Sequence, residues 1–170
     1  PLTAELERLA QVVKHTSNAV TISDADQRIV WVNEGFTRIS GYTLAEAQGK
    51  TPGELLGSGK ADPAVLQRLA ECAASGSFCR VEILNRAKDG REYWADTELQ
   101  PQRDAGGRLT GFMEIGSDVS ARKYAESALR ASQAILDKTG RIAGVGGWSY
   151  DLASHAVEWT DQTCRIHDCE

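Results

Sequence analysis

The sequence predicts an α+β fold, an antiparallel sheet of five strands with flanking helices. Three observations carry this expectation. Short β-branched and aromatic runs sit on either side of Asx and Asp-Gly turns, the joints of neighbouring antiparallel strands. Capped helical stripes lie between the second and third of these runs. The last three runs follow one another through tight connections, as in a meander.

The elements follow in order. Leu2, Leu6, Leu9 and Val13 form one apolar stripe on an N-terminal cap helix, residues 1–17, suited to packing on a sheet or on its twin in a dimer. Ala19–Ser23 and Arg28–Val32 read as a hairpin around Asp24-Ala-Asp-Gln. Asn33 caps a short helix that stops at Gly41. Residues 49–62 read as a loop, and Asp62-Pro63 opens an amphipathic helix ending at Gly76. Phe78–Arg86, Arg91–Gln100 and Arg108–Asp118 are the three meander strands. Ser120–Lys138 is a charged connector helix with a thin stripe of Tyr124, Ala128, Ala131 and Ile135. Beyond it, residues 140–170 show a second β-rich opening and a hint of an internal repeat.

Composition narrows the function. The 170 residues carry 19 Lys+Arg against 24 Asp+Glu, a net charge of −5. That balance argues against duplex nucleic acid, whose binders show a basic patch. No apolar run approaches the roughly 20 residues of a membrane helix, and no signal-peptide core opens the chain, so a cytoplasmic segment without membrane contact is expected. Cys72, Cys79, Cys164 and Cys169 lack the spacing of a zinc site and are expected to be reduced thiols, with no metal bound. No Ser/His/Asp set, phosphate loop or metal triad points to an enzyme.

The wording of several segments resembles the PAS superfamily. Ile22-Ser-Asp24 with Ile29-Val-Trp-Val-Asn33-Glu-Gly-Phe36 resembles its opening, and Ile39-Ser-Gly-Tyr42 with Glu46-Ala-Gln-Gly49 its next segment. Asn85-Arg-Ala-Lys-Asp-Gly90 with Tyr93-Trp94 resembles the middle hairpin, and Asp118-Val-Ser120 the strand-to-helix exit. The resemblance covers roughly residues 5–125. It implies a PAS domain at 18–119, a connector at 120–139 and the start of a second, truncated PAS domain at 140–170.

Flavin-binding and light-oxygen-voltage (LOV) PAS domains are similar over Gly49–Pro63 and at Asn85. Pro52 stands where LOV domains carry the photoreactive cysteine, which excludes a cysteinyl-flavin adduct. Ala95 and Gly116 stand where they carry a second Asn and a Gln, and Gly53 and Ala70 where two arginines hold the mononucleotide phosphate. The resemblance therefore implies FAD, held by Thr21, Asn33, Phe36, Leu56, Leu66, Ile83, Asn85, Thr97 and Glu114. Haem is not expected, because the helix over 63–75 has no His.

Strand alternation sorts the side chains. With Asn85 facing inward, so do Val81, Ile83, Tyr93, Ala95, Thr97, Leu99, Phe112, Glu114 and Gly116. Glu114 is then either an interior carboxylate that reads a ring amide or an edge glutamate reaching solvent. Asn85 either faces ligand or caps its hairpin, and Asn33 either caps its helix or touches ligand. Trp94, Met113 and Ile115 form an apolar outer face, expected to pack on the first helix and on a second copy. The expected function is a sensory PAS module of a signalling protein, passing redox, oxygen or light state to an output domain. The alternative is a cofactor-free module for dimerisation or small-metabolite binding.

Overall fold

Asp24 sets the first reversal of the sheet. Its Oδ1 accepts from the N–H groups of Asp26 and Arg28 at 3.0 and 2.9 Å. In the computed structural model, which describes residues 16–167, this turn joins β1 (Ala19–Asp24) to β2 (Ile29–Val32). Four short helices follow: α1 (Glu34–Ser40), α2 (Leu44–Ala47), α3 (Pro52–Leu56) and α4 (Pro63–Ser75). The meander of β3 (Cys79–Arg86), β4 (Glu92–Arg103) and β5 (Leu109–Asp118) closes the sheet in the order β2-β1-β5-β4-β3, every pair antiparallel. The fold is the α+β arrangement the sequence predicts. The cap helix expected over 1–17 falls almost wholly outside the described residues.

Two boundaries within the first unit differ from expectation for local reasons. Residues 49–62 are not all loop, because Thr51 and Glu54 form a capping box with Pro52 at the first helical position, which is enough to nucleate α3. Strand β4 runs past Gln100 through Pro101. Its pairing with β3 ends at Leu99, so the missing N–H of proline falls on an unpaired edge.

Asn33 ties the first hairpin to α1. Its Oδ1 accepts from Phe36 N–H and Val20 N–H, both at 2.9 Å, and its Nδ2 donates to Asn18 O at 3.0 Å. The helix start lies so close to the chain before β1 that a Cβ on Gly35 would stand 2.1 Å from Asn18 O. Only glycine fits there.

The core is divided. One cluster joins Ile29, Val32, Phe36, Ala47, Leu55 and Leu56, a second Ala73, Cys79, Leu99 and Phe112, and a third Ala87, Tyr93 and Ala95. Burial alternates along β4, with Tyr93, Ala95, Thr97 and Leu99 buried and Trp94, Asp96 and Glu98 half-buried. The inward and outward faces are those the alternation predicts.

The chain divides into two compact units at Ala121/Arg122. Helix α5 (Ser120–Ala143) runs past the expected Lys138 and buries none of its residues. In the second unit β6 (Trp148–Tyr150) pairs with β7 (Val157–Trp159) ahead of α6 (Asp161–Ile166). Its cap bonds repeat those of the first hairpin at equal spacings, and its turn is one residue longer. Asp151 Oδ1 accepts from the turn as Asp24 does, and Thr160 Oγ1 accepts from Gly147 and Thr163 N–H as Asn33 Oδ1 accepts from Val20 and Phe36. No helix among the described residues is long and apolar enough to cross a membrane.

Replacing Asn33 with Ala removes a cap and leaves Val20 N–H buried without its acceptor. The expected loss is about 2 kcal/mol or more, read as a lower urea midpoint with an unchanged m-value.

Candidate functional site

Between the divided core clusters the inner face of the sheet is polar. Thr21 on β1, Asn85 on β3, Thr97 on β4 and Glu114 on β5 occupy inward positions that apolar side chains would otherwise fill. A cavity of about 650 Å³ opens over this floor. Its walls are apolar: Pro52 and Leu56 of α3, Leu66 and Leu69 of α4, and Ile83 and Leu99 of the sheet. This volume lies within the range of small-molecule sites. An inner recess of about 30 Å³, space for a water or two, continues between Phe36, Ile39 and Tyr93. Asn85, Thr97 and Glu114 border both spaces.

The segment after α3 makes the rim. Gly57 bridges Asn85 across an isolated antiparallel pair, and Ser58 Oγ donates to Leu84 O at 2.7 Å. Arg86 Nη2 donates to Gly57 O at 3.1 Å, and Lys60 Nζ pairs with Glu92 at 2.9 Å. The rim is thus laced to strands β3 and β4 rather than to the helices.

Glu114 decides the chemistry of the floor. Burial alone pushes its carboxyl up to about 7. No hydrogen bond or ion pair joins it to another described residue, so its oxygens are available to whatever enters the cavity. A carboxyl that is half protonated near neutrality both donates and accepts. Asn85 stands directly opposite Tyr93 in the β3–β4 register; burial raises the Tyr93 phenol to about 12, and Asn85 works against that rise.

From this floor a chain of contacts runs to the helix exit. The Arg91 guanidinium lies 5.3 Å from the Tyr93 ring centroid, donates to Ile39 O at 2.8 Å and reaches Asp118 at 3.3 Å. Asp118 Oδ1 accepts from Ser120 N–H at 2.9 Å, and Ser120 Oγ accepts from Trp94 N–H at 2.9 Å. Burial pushes the Asp118 carboxyl up, but Ser120 and Arg91 together hold it below the ordinary range.

Of the residues named from sequence, Thr21, Phe36, Leu56, Asn85, Thr97 and Glu114 border the inner recess, and Leu66 and Ile83 line the main cavity. Asn33 borders neither; its amide is committed to capping α1 and tying β1. Gln27, Ser58, Leu69 and Arg86 also line the cavity and were not foreseen. Leu69 follows Leu66 by one helical turn, a signal that was there to use. The other three arrive through loop-to-strand contacts that leave no periodic trace.

The family described as PAS fold matches residues 13–124. Phototropin-1A from Oryza sativa subsp. japonica is 33% identical over 123 residues, covering 71% of this chain and 13% of the relative. A blue-light-activated histidine kinase from Brucella abortus (strain 2308) is 26% identical over 153 residues, covering 84% of this chain and 31% of that protein. The solved structure of an RNA-binding Light-Oxygen-Voltage receptor superposes with a TM-score of 0.71 at 26% identity, over 82% of this chain and 40% of that one. The chain therefore spans less than a third of either curated relative.

The raised Glu114 pKa has a definite sign in stability. The folded chain holds a proton that the unfolded chain releases between about pH 4.5 and 7, so stability falls as pH rises through that window and is level above it. The fall is on the order of 3 kcal/mol. Glu114→Gln is expected to flatten this slope, measured as urea midpoints at the acid and neutral ends of the window.

Proposed function

Because the chain belongs to the PAS fold family, whose domains are regulatory sensor modules, we propose that its cavity holds a flavin and that α5 passes the state of this pocket to an output domain. One observation carries the proposal: a ligand-sized apolar cavity whose polar floor presents Asn85, Thr97 and an unpartnered carboxyl at Glu114. Those groups suit a flat ring bearing an amide edge, with Leu56, Leu66 and Ile83 against its faces. A bound flavin would supply redox chemistry and blue-light absorption.

FAD is favoured over the mononucleotide. Gly53 lines the cavity where a phosphate-binding arginine would be needed, and open space surrounds it. Pro52 lines the same wall without a thiol, so redox or oxygen state is favoured over adduct-forming light sensing. The alternative is a smaller metabolite or a module that serves association alone. The small inner recess favours that alternative, since Glu114 stands at its boundary and limits how deep a ring can sit.

The output route runs from Asn85 through Tyr93 and Arg91 to Asp118 and Ser120 at the start of α5. An output domain such as a histidine kinase fits the relative named above. We take residues 140–170 as the opening of a second PAS domain, on the strength of the repeated turn and cap bonds. Homodimerisation would use the half-buried outer face of Trp94, Met113 and Ile115 together with the N-terminal helix. A cytoplasmic setting is part of the same proposal.

Purified protein is expected to be yellow, with the absorption bands of an oxidised flavin and release of FAD on denaturation. Asn85→Ala is expected to weaken flavin retention about tenfold, the worth of one or two buried hydrogen bonds. Colourless protein that neither takes up nor releases a flavin would overturn the cofactor assignment and leave the association module.

A further inference from the structure

Two thiols meet at the far end of the cavity wall. Gly76 ends α4 in the left-handed conformation at φ 60, and Ser77 N–H returns to Cys72 O at 2.8 Å. This reversal sends β3 back along the last helical turn. Cys79, 2% exposed, thereby comes beside half-buried Cys72, and the two pack in the same core cluster. Both pack with Leu69 and Leu99, which line the cavity on their other side.

We propose that Cys72 and Cys79 form a reversible dithiol–disulfide pair, a redox-modification site separate from the cofactor cavity. The oxidant is a small-molecule disulfide, RSSR. The Cys72 thiolate, the more accessible of the two, attacks one sulfur of RSSR; a Cys72–SR bond forms and RS⁻ leaves. The Cys79 thiol then gives up its proton and attacks the Cys72 sulfur, forming the intramolecular bond and expelling the second RS⁻. The protons of both cysteines end on two RSH, so two thiols are oxidised and one disulfide is reduced. Intracellular disulfides of this kind are transient and sensory rather than structural.

The second step is the slow one. Burial pushes the Cys79 thiol up to about 11, and the neighbouring Cys72 sulfur adds to this. Arg68 of α4 works against that rise, and Glu114 of β5 reinforces it. Once formed, the bond would fasten α4, which carries Leu66 and Leu69, to the strand that carries Ile83 and Asn85. Oxidation would in this way limit how far the helical wall can move from the floor.

Trypsin cleavage after Arg68 and Arg80 yields one peptide that contains both cysteines, apart from Cys164 and Cys169. The test treats native protein with oxidised glutathione, blocks remaining thiols by alkylation and weighs that peptide. The expected peptide is unalkylated, lighter by two hydrogens and restored by dithiothreitol. Its rate of formation should rise at least about tenfold between about pH 7 and about pH 9. In Cys72→Ser the pair cannot close, and Cys79 should resist alkylation until the chain is unfolded. A peptide that takes two alkyl groups in native oxidised protein, while the urea-unfolded chain closes the bond, would overturn the proposal. Flavin content is read separately by absorption, so failure of the cofactor assignment and failure of this one are distinguishable.

Discussion

A half-buried carboxyl without a hydrogen-bond partner, in the middle of the sheet, is the constraint on which the rest of the domain turns. Glu114 occupies an inward position on β5, where a continuous core would place an aliphatic side chain. With Thr21, Asn85 and Thr97 beside it, the centre of the inner face cannot be closed by hydrophobic contact. The apolar side chains gather instead into three clusters around that centre. The hollow is a consequence of where the polar residues stand, and the stability given up there is recovered by those clusters and by the buried bonds of Asn33.

The same placement sets a short path between Asn85 and the start of α5, 35 residues further along the chain. Asn85 pairs across the strands with Tyr93, Tyr93 lies under Arg91, and Arg91 holds Asp118 and the Ile39 carbonyl near the end of α1. Each link is a short polar or cation–π contact with its own geometry. On the proposed output route, a shift of the Asn85 amide toward a ligand would change what Tyr93 accepts, and the effect would reach the Ser120 start of α5 through neighbouring groups.

Most of the architecture was legible in the sequence. The turn at Asp24, the caps at Asn33 and Asp62 and the alternation along β4 are local signals, and each fell where its side-chain chemistry required. Helix α3 was missed although its Thr-Pro-x-Glu box is equally local, because the surrounding glycines outweighed it. The polar floor was legible from strand alternation once Asn85 was set facing inward. The rim was not: Ser58 meets Leu84, and Arg86 meets Gly57, across a separation that no periodicity encodes. Nor was the approach of Cys72 to Cys79, which follows from one left-handed glycine rather than from the spacing of the cysteines.

The margins of the sheet carry a consequence of their own. On one side β2 is only four residues long and its register slips at Val30. On the other, Gly57 already caps β3 at Asn85, and the overhang of β4 presents Pro101 where another chain would need an amide donor. Neither margin offers a template for intermolecular strand addition. Edge-to-edge pairing between copies is disfavoured at both margins, which leaves the flat outer face of the sheet as the broad surface.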